Sequence, residues 1–143
     1  MNSYEYLGVV VNPVRRYDSN IFSEGFKRMS QQARRAMFKI LKDTRHIGMI
    51  PPEVAFQLFD ALVLPILEYS SEVWFTNKEI PEIEKVQLKY LKIILGVHSN
   101  TSNLATYGET GRYPLLLRQK VKAIKYWHRI LEMQNDSLVK VVY

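Results

Sequence analysis

Arg118, Lys122, Lys125 and Arg129 follow one another at intervals of four, three and four in the segment "PLLLRQKVKAIKYWHRILEMQ". On a helix that spacing draws a straight cationic stripe. A second set, Arg28, Arg35, Lys39 and Lys42, falls on the polar face of an earlier amphipathic segment. Lys85, Lys89 and Lys92 share one edge of a third. Regular Lys and Arg spacing without bidentate base-reading pairs suits a phosphate backbone, which repeats along its length and carries no sequence information. Phe38 among the arginines, and Tyr126 beside the last stripe, offer flat surfaces on which bases or sugars can stack. The plainer alternative is that lysines on an outward helix face keep it soluble, and that outward aromatics cover a neighbouring element.

Other chemistry is harder to place. The acids never form a close pair flanked by apolar residues, as a two-cation polymerase or nuclease site requires. His46, His98 and His128 are far apart in the chain and have no spaced acid partner, so each reads as a surface or core-edge histidine. "YGETGR" (Tyr107 to Arg112) has two glycines but no Gly-Lys-Ser/Thr ending, and reads as a structural turn rather than a phosphate loop. No serine sits in a nucleophile-elbow pattern. The expectation is a protein with no catalytic residues, no metal and no cofactor.

The 143 residues suit one domain, with a net charge of +6 and no cysteine, which excludes disulfides and thiolate metal sites. The opening lacks a signal-peptide pattern and no apolar run approaches a membrane span, so an intracellular protein, cytoplasmic or nuclear, with no membrane partner is expected. Charge is unevenly placed. Arg15 to Arg45 is basic, Glu53 to Glu84 is acidic, and the chain from Lys85 onward is basic again. Such asymmetry predicts a side facing a polyanion and a side turned elsewhere, against the alternative of an unevenly charged solvated surface.

"YEYLGVVV" (Tyr4 to Val11) reads as a strand, and as a lone one, because everything after it reads as helix. "DSNIFSEGFKRMSQQARRAMFKILKDTR" predicts a long amphipathic helix capped by Asp18, Ser19 or Asn20. Its core face carries Phe22, Phe26, Met29, Ala33, Ala36, Met37 and Ile40; Lys27, Arg34 and Arg45 join the second cationic set on the other side. A second helix runs from about Glu53 to about Tyr69, apolar nearly all round and so buried, with Pro65 tolerated because packing holds the segment. A third spans Glu79 to Val97, with Pro81 in its first turn and Gly96 as its stop. A polar loop with one short helical turn around Leu104 to Tyr107 leads to the last long helix, Pro114 to Gln134. There Leu117, Val121, Ile124, Trp127 and Leu131 lie away from the cationic stripe. Apolar faces are thus expected to pack around the bent central segment, with cationic edges aligned outward.

The blocks "YLGVVV", "ARRAMFKILKDTR", "LFDALVLPILEYSSEVW", "IEKVQLKYLKIILGV", "NTSNLATYGETGRYPL" and "AIKYWHRIL" occur in that order over nearly the whole chain. Together they resemble the region just after the polymerase palm in reverse transcriptases of non-LTR (LINE-type) retrotransposons. "PILEY…EVW" and "YGE.GR.PL" are the most specific parts. Ser70 stands where the family more often has glycine, and Thr110 where leucine is usual; both departures point to drift or relaxed constraint. The resemblance implies that residues 1–13 are the strand leaving the palm and residues 14–143 a helical, thumb-like domain cradling a primer–template duplex. The family's catalytic aspartates lie upstream in the palm, so the chain would not polymerise DNA alone.

The expected protein is therefore mostly α, a single helical bundle with a short N-terminal strand left over from a palm. Its expected role is that of a non-catalytic fragment of an RNA-directed DNA polymerase contacting an RNA–DNA or DNA duplex backbone, with a missing palm as a further partner. The alternatives are a protein-interaction module docking on such a palm or another partner, and a transposon relic without function.

Overall fold

The computed structural model describes residues 4–6, 9–11, 22–48, 50–74 and 80–133. The expected caps Asp18, Ser19 and Asn20, the boundary at residue 13 and the tail from residue 134 lie outside the described residues. Two short strands, β1 (Tyr4–Tyr6) and β2 (Val9–Val11), precede helices α1 (Ser23–Arg45), α2 (Pro52–Leu62), α3 (Leu64–Leu67), α4 (Ser71–Trp74), α5 (Pro81–Ile94), α6 (Asn103–Thr110) and α7 (Leu115–Glu132). The protein is mostly helical, as expected. The expected lone strand is instead split in two, and its halves pair antiparallel, Tyr4 opposite Val11 and Tyr6 opposite Val9. Each half meets backbone groups that a single strand would leave unsatisfied.

The 3.6-residue period of α1 is realised in the core. Phe26, Met29, Ala33, Met37 and Ile40 are buried along one side, and Phe22 and Ala36 pack at its margin. Burial of each large side chain contributes about 1.5–3 kcal/mol. Against this row pack Phe59 from α2, Val63 at the joint, Leu64 and Leu67 from α3, and Ile83, Val86 and Tyr90 from α5.

Pro65 divides the central segment rather than riding inside one helix. α2 ends at Leu62, the Val63 N–H still reaches the Phe59 carbonyl at 2.9 Å, and a new helix begins at Leu64. Pro65 is then the second residue of α3, where a backbone N–H would have no intrahelical acceptor in any case. All-round burial does not follow either: of α2 only Ala55 and Phe59 are buried, while Val54 and Leu62 are exposed. The more deeply buried helix is α5, where Ile83, Val86, Leu88, Tyr90 and Leu91 are joined by Glu84 and Gln87.

Glycine stops α5 and α6 in one geometry. Gly96 and Gly111 both have left-handed backbones, φ 67° and φ 63°. The Val97 N–H returns to the Lys92 carbonyl (3.1 Å) and the Arg112 N–H to the Tyr107 carbonyl (3.2 Å), the six-to-one bond of a Schellman ending. "YGETGR" is therefore the end of a helix, as expected of a structural turn. The single turn expected near Leu104 is the longer α6.

Ser70 also has a left-handed backbone, φ 52°, in the tight turn between α3 and α4. Across that turn the Trp74 indole N–H donates to the Tyr69 carbonyl at 2.7 Å, and the buried ring meets Phe26 edge-on at 4.9 Å. A non-glycine residue in this conformation costs about 1–2 kcal/mol. Ser70→Gly is expected to raise the unfolding free energy by about 1 kcal/mol in a denaturant titration, because strain relief outweighs glycine's extra freedom in the unfolded chain.

Tyr90 ties α5 to α2 through its hydroxyl, which donates to the Ala55 carbonyl at 2.7 Å, and through its ring, 4.8 Å from Phe59. Burial raises its pKa above the ordinary phenol value, while Arg112 pulls it down and Asp60 pushes it further up. A raised tyrosine pKa means that the folded state holds its proton longer than the unfolded one. Its contribution is whole below about pH 10 and is lost as pH climbs from there toward the folded value. Tyr90→Phe is expected to be about 1 kcal/mol less stable at neutral pH, and to lose stability less steeply than the parent above about pH 10. Denaturant titrations across that range check both statements.

Candidate nucleic-acid interface

The α7 stripe is only partly a free cationic edge. Glu68, in the turn that closes α3, has a side chain 4% exposed, and both its oxygens are taken by α7. Arg118 Nε donates to Oε1 at 2.9 Å and Lys122 Nζ to Oε2 at 2.7 Å. Two of the four cations expected on a phosphate backbone are thus committed to neutralising a buried carboxylate of their own chain. The reason is cost: a buried, unpaired carboxylate is far more expensive than a solvated one. Lys125 and Arg129 stay exposed and have no carboxylate partner among the described residues.

Two further acids of the middle segment are used the same way. Asp60 receives both Nη atoms of Arg112 (2.8 and 2.7 Å), whose guanidinium also lies over Phe56 at 5.1 Å. Glu84, 2% exposed, accepts from the Tyr107 hydroxyl, from Gln87 Nε2 at 3.2 Å and from the Leu115 N–H at 2.8 Å. Leu115 opens α7, where N–H groups have no intrahelical acceptor, so Glu84 caps α7 from another helix. The expected acidic side turned elsewhere is in part used within the molecule. Asp60, Glu68 and Glu84 bind the chain's own last third.

Six other cations gather along α1 and α5. Arg34, Lys85, Lys89 and Lys92 line an open groove of about 490 Å³. A second hollow of about 450 Å³ shares Ile93 with it and adds Phe38, Leu41, Lys42 and Arg45. No carboxylate among the described residues lines either. Lys89 Nζ stands 4.9 Å over the Phe38 ring. The face expected to stack on bases is therefore already covered by a cation. Lys92 Nζ donates to the Ser99 carbonyl (2.8 Å) and Asn103 Oδ1 (2.9 Å), which holds the α5–α6 loop against the groove while leaving the ammonium charge uncompensated.

The sequence-level sets map unevenly onto this site. Lys42, Lys85, Lys89 and Lys92 line it, whereas Arg28, Arg35 and Lys39 are exposed on α1 but do not. Arg34 and Arg45, placed on the cationic side of α1 but not among the expected phosphate contacts, line it as well. The polar face of α1 was chosen as the direction opposite the core, but a groove forms at a helix shoulder, where a neighbour runs alongside. Arg28, Arg35 and Lys39 lie about 100° around α1 from the Arg34 row. The available signal was the period itself, since Arg34, Phe38, Leu41 and Arg45 repeat at four, three and four.

The histidines behave as surface groups. His46, His98 and His128 are exposed, and His128 lies 3.5 Å from Glu132, an acid partner one turn on that sequence inspection missed. Among the described residues no group of His, Asp or Glu could hold a metal, and no helix is long and apolar enough to cross a membrane.

The Glu68 pairings predict an asymmetry. Removing both Arg118 and Lys122, as methionines, strands a buried carboxylate and is expected to cost about 3 kcal/mol or more. Glu68→Gln leaves only two half-exposed cations unpaired and is expected to cost less. Chemical denaturation of the three proteins measures both, and equal losses would contradict the pairing. Comparison with known proteins adds no relative to this geometry: no family model matches the chain, and neither a curated protein nor a solved structure matches it.

Proposed function

We propose that the chain is a non-catalytic, thumb-like part of a non-LTR retrotransposon RNA-directed DNA polymerase, and that it holds the backbone of an RNA–DNA or DNA duplex in the α1–α5 groove. The observation that carries this reading is the gathering of Arg34, Lys85, Lys89 and Lys92 in one hollow and of Lys42 and Arg45 in a second that shares Ile93 with it, with no lining carboxylate among the described residues. Like charges so placed repel one another until an anion enters between them. A repeating polyanion fits better than a single ion, because Arg34 and Arg45 alone are about 16 Å apart along α1.

The family reading draws support from two local features. Ser70, where the resembling family more often has glycine, has the left-handed backbone that glycine adopts without strain. The blocks that carry the resemblance also meet one another, through Asp60 and Arg112 and through Glu84, Tyr107 and Leu115. Residues 1–13, whose two short strands pair with each other, would then lead out of the palm, and residues 14–143 would be the thumb-like domain, with the chemistry of polymerisation supplied by the palm.

The test is anisotropy of a labelled RNA–DNA hybrid titrated at several salt concentrations. Each neutralised phosphate contributes about −0.9 to the slope of log affinity against log salt, so six contacts predict a slope of about −5. Arg34→Gln, Lys85→Gln and Lys89→Gln together are expected to halve that slope and weaken binding equally for unrelated sequences. Arg118 and Lys122 are unsuitable targets, because their loss disturbs Glu68. A salt-insensitive affinity, or a triple variant that binds like the parent, removes the reading.

A further inference from the structure

The apolar face of α7 does not pack as the sequence period predicts. Leu117 (48%), Val121 (51%), Ile124 (59%), Trp127 (49%) and Leu131 (55%) are all substantially exposed. The helix rests on the bundle through Leu115, Gln119 and Ile130 instead. Five large apolar side chains along one helix face exceed the scattered exposure ordinary for a surface. Beside them lies a groove of about 480 Å³ with Tyr113, Leu117 and Val121 as its apolar lining and Arg118, Lys122 and Lys125 as its cationic wall.

We infer that this face is a docking surface for an acidic amphipathic helix of a partner protein. The partner's apolar ridge seats on Leu117, Val121 and Ile124, and its carboxylates meet Lys125 and Arg129. Charge selects this occupant. Of the five Lys and Arg in Leu115–Glu132, Arg118 and Lys122 answer Glu68, which leaves Lys120, Lys125 and Arg129 against Glu132 alone. A second copy laid antiparallel would bring the Lys125–Arg129 flank against itself, and a parallel copy would bring it against Lys120. Both oppose cation to cation. Helix-in-groove recognition uses the same three-to-four spacing that α7 displays. The surface shares no lining residue with the α1–α5 groove and does not depend on the nucleic-acid reading.

The probe is a synthetic helical peptide with leucines at three-to-four spacing flanked by glutamates, beside the same peptide with lysines in place of the glutamates. Trp127 emission reports binding, and Trp74, buried in the core, is a silent reference. Saturable binding of the glutamate peptide with a blue shift is expected, and none of the lysine peptide. Ile124→Glu, and separately Lys125→Glu with Arg129→Glu, should weaken it about tenfold or more. Lys85→Glu with Lys89→Glu should leave it unchanged, which separates this site from the duplex groove. Because Ile124 is exposed, its variant should unfold at the parent's temperature; Ile124→Ser replaces it if it does not. Four results overturn the inference. They are absence of saturable binding, equal binding of the lysine peptide, uptake by phosphatidylserine vesicles without peptide binding, and a concentration-dependent dimer that Ile124→Glu dissolves.

Discussion

A buried carboxylate on α5 directs the last third of the molecule. Glu84 is shielded from water, and an ion in that position must be met by donors or it destabilises the fold by several kcal/mol. The donors come from three places: the Tyr107 hydroxyl on α6, the first backbone N–H of α7 at Leu115, and Gln87 one turn along α5. Gln87 in turn donates to the Tyr113 carbonyl at 3.0 Å, so the connection between α6 and α7 is held at both ends. The start of α7 is thereby determined, and with it the line along which Arg118 and Lys122 reach Glu68. Arg112, released from α6 by the left-handed Gly111, closes the set on Asp60.

This arrangement sorts the cations of a basic chain into two kinds. Arg112, Arg118 and Lys122 answer carboxylates and belong to the scaffold. Arg34, Lys42, Arg45, Lys85, Lys89 and Lys92 face a groove without carboxylates and carry the electrostatic field outward. A net charge of +6 does not reveal this division, because it adds both kinds together. The α7 helix is divided similarly around its own circumference: a narrow side seated on the bundle, a cationic flank, and a broad apolar face open to solvent.

Much of the architecture was legible in the residues. The core stripe of α1, the proline-led start of α5, the glycine stop at Gly96 and the structural character of "YGETGR" follow from interactions spanning at most a few residues. Apolar counting failed where burial was polar. α2 looked the more buried helix because its residues are apolar, yet α5 is more buried, because Glu84 and Gln87 find partners that no local pattern displays. The α7 face failed in the opposite sense: Leu117, Val121 and Ile124 lie on the predicted apolar side yet stay substantially exposed, since an apolar period states which side could pack and not how deeply it is covered.

Local sequence sets the core face of α1, the proline-led start of α5 and its stop at Gly96, because periodicity and these end signals depend on neighbours three to six positions away. Only the tertiary structure decided which charges are spent internally and which remain outward. Glu68 and Arg118 are 50 residues apart, and Asp60 and Arg112 are 52. Contacts at such separations depend on the packing of whole helices, and the electrostatic energy of a charge changes with its distance and burial rather than with its place in the chain.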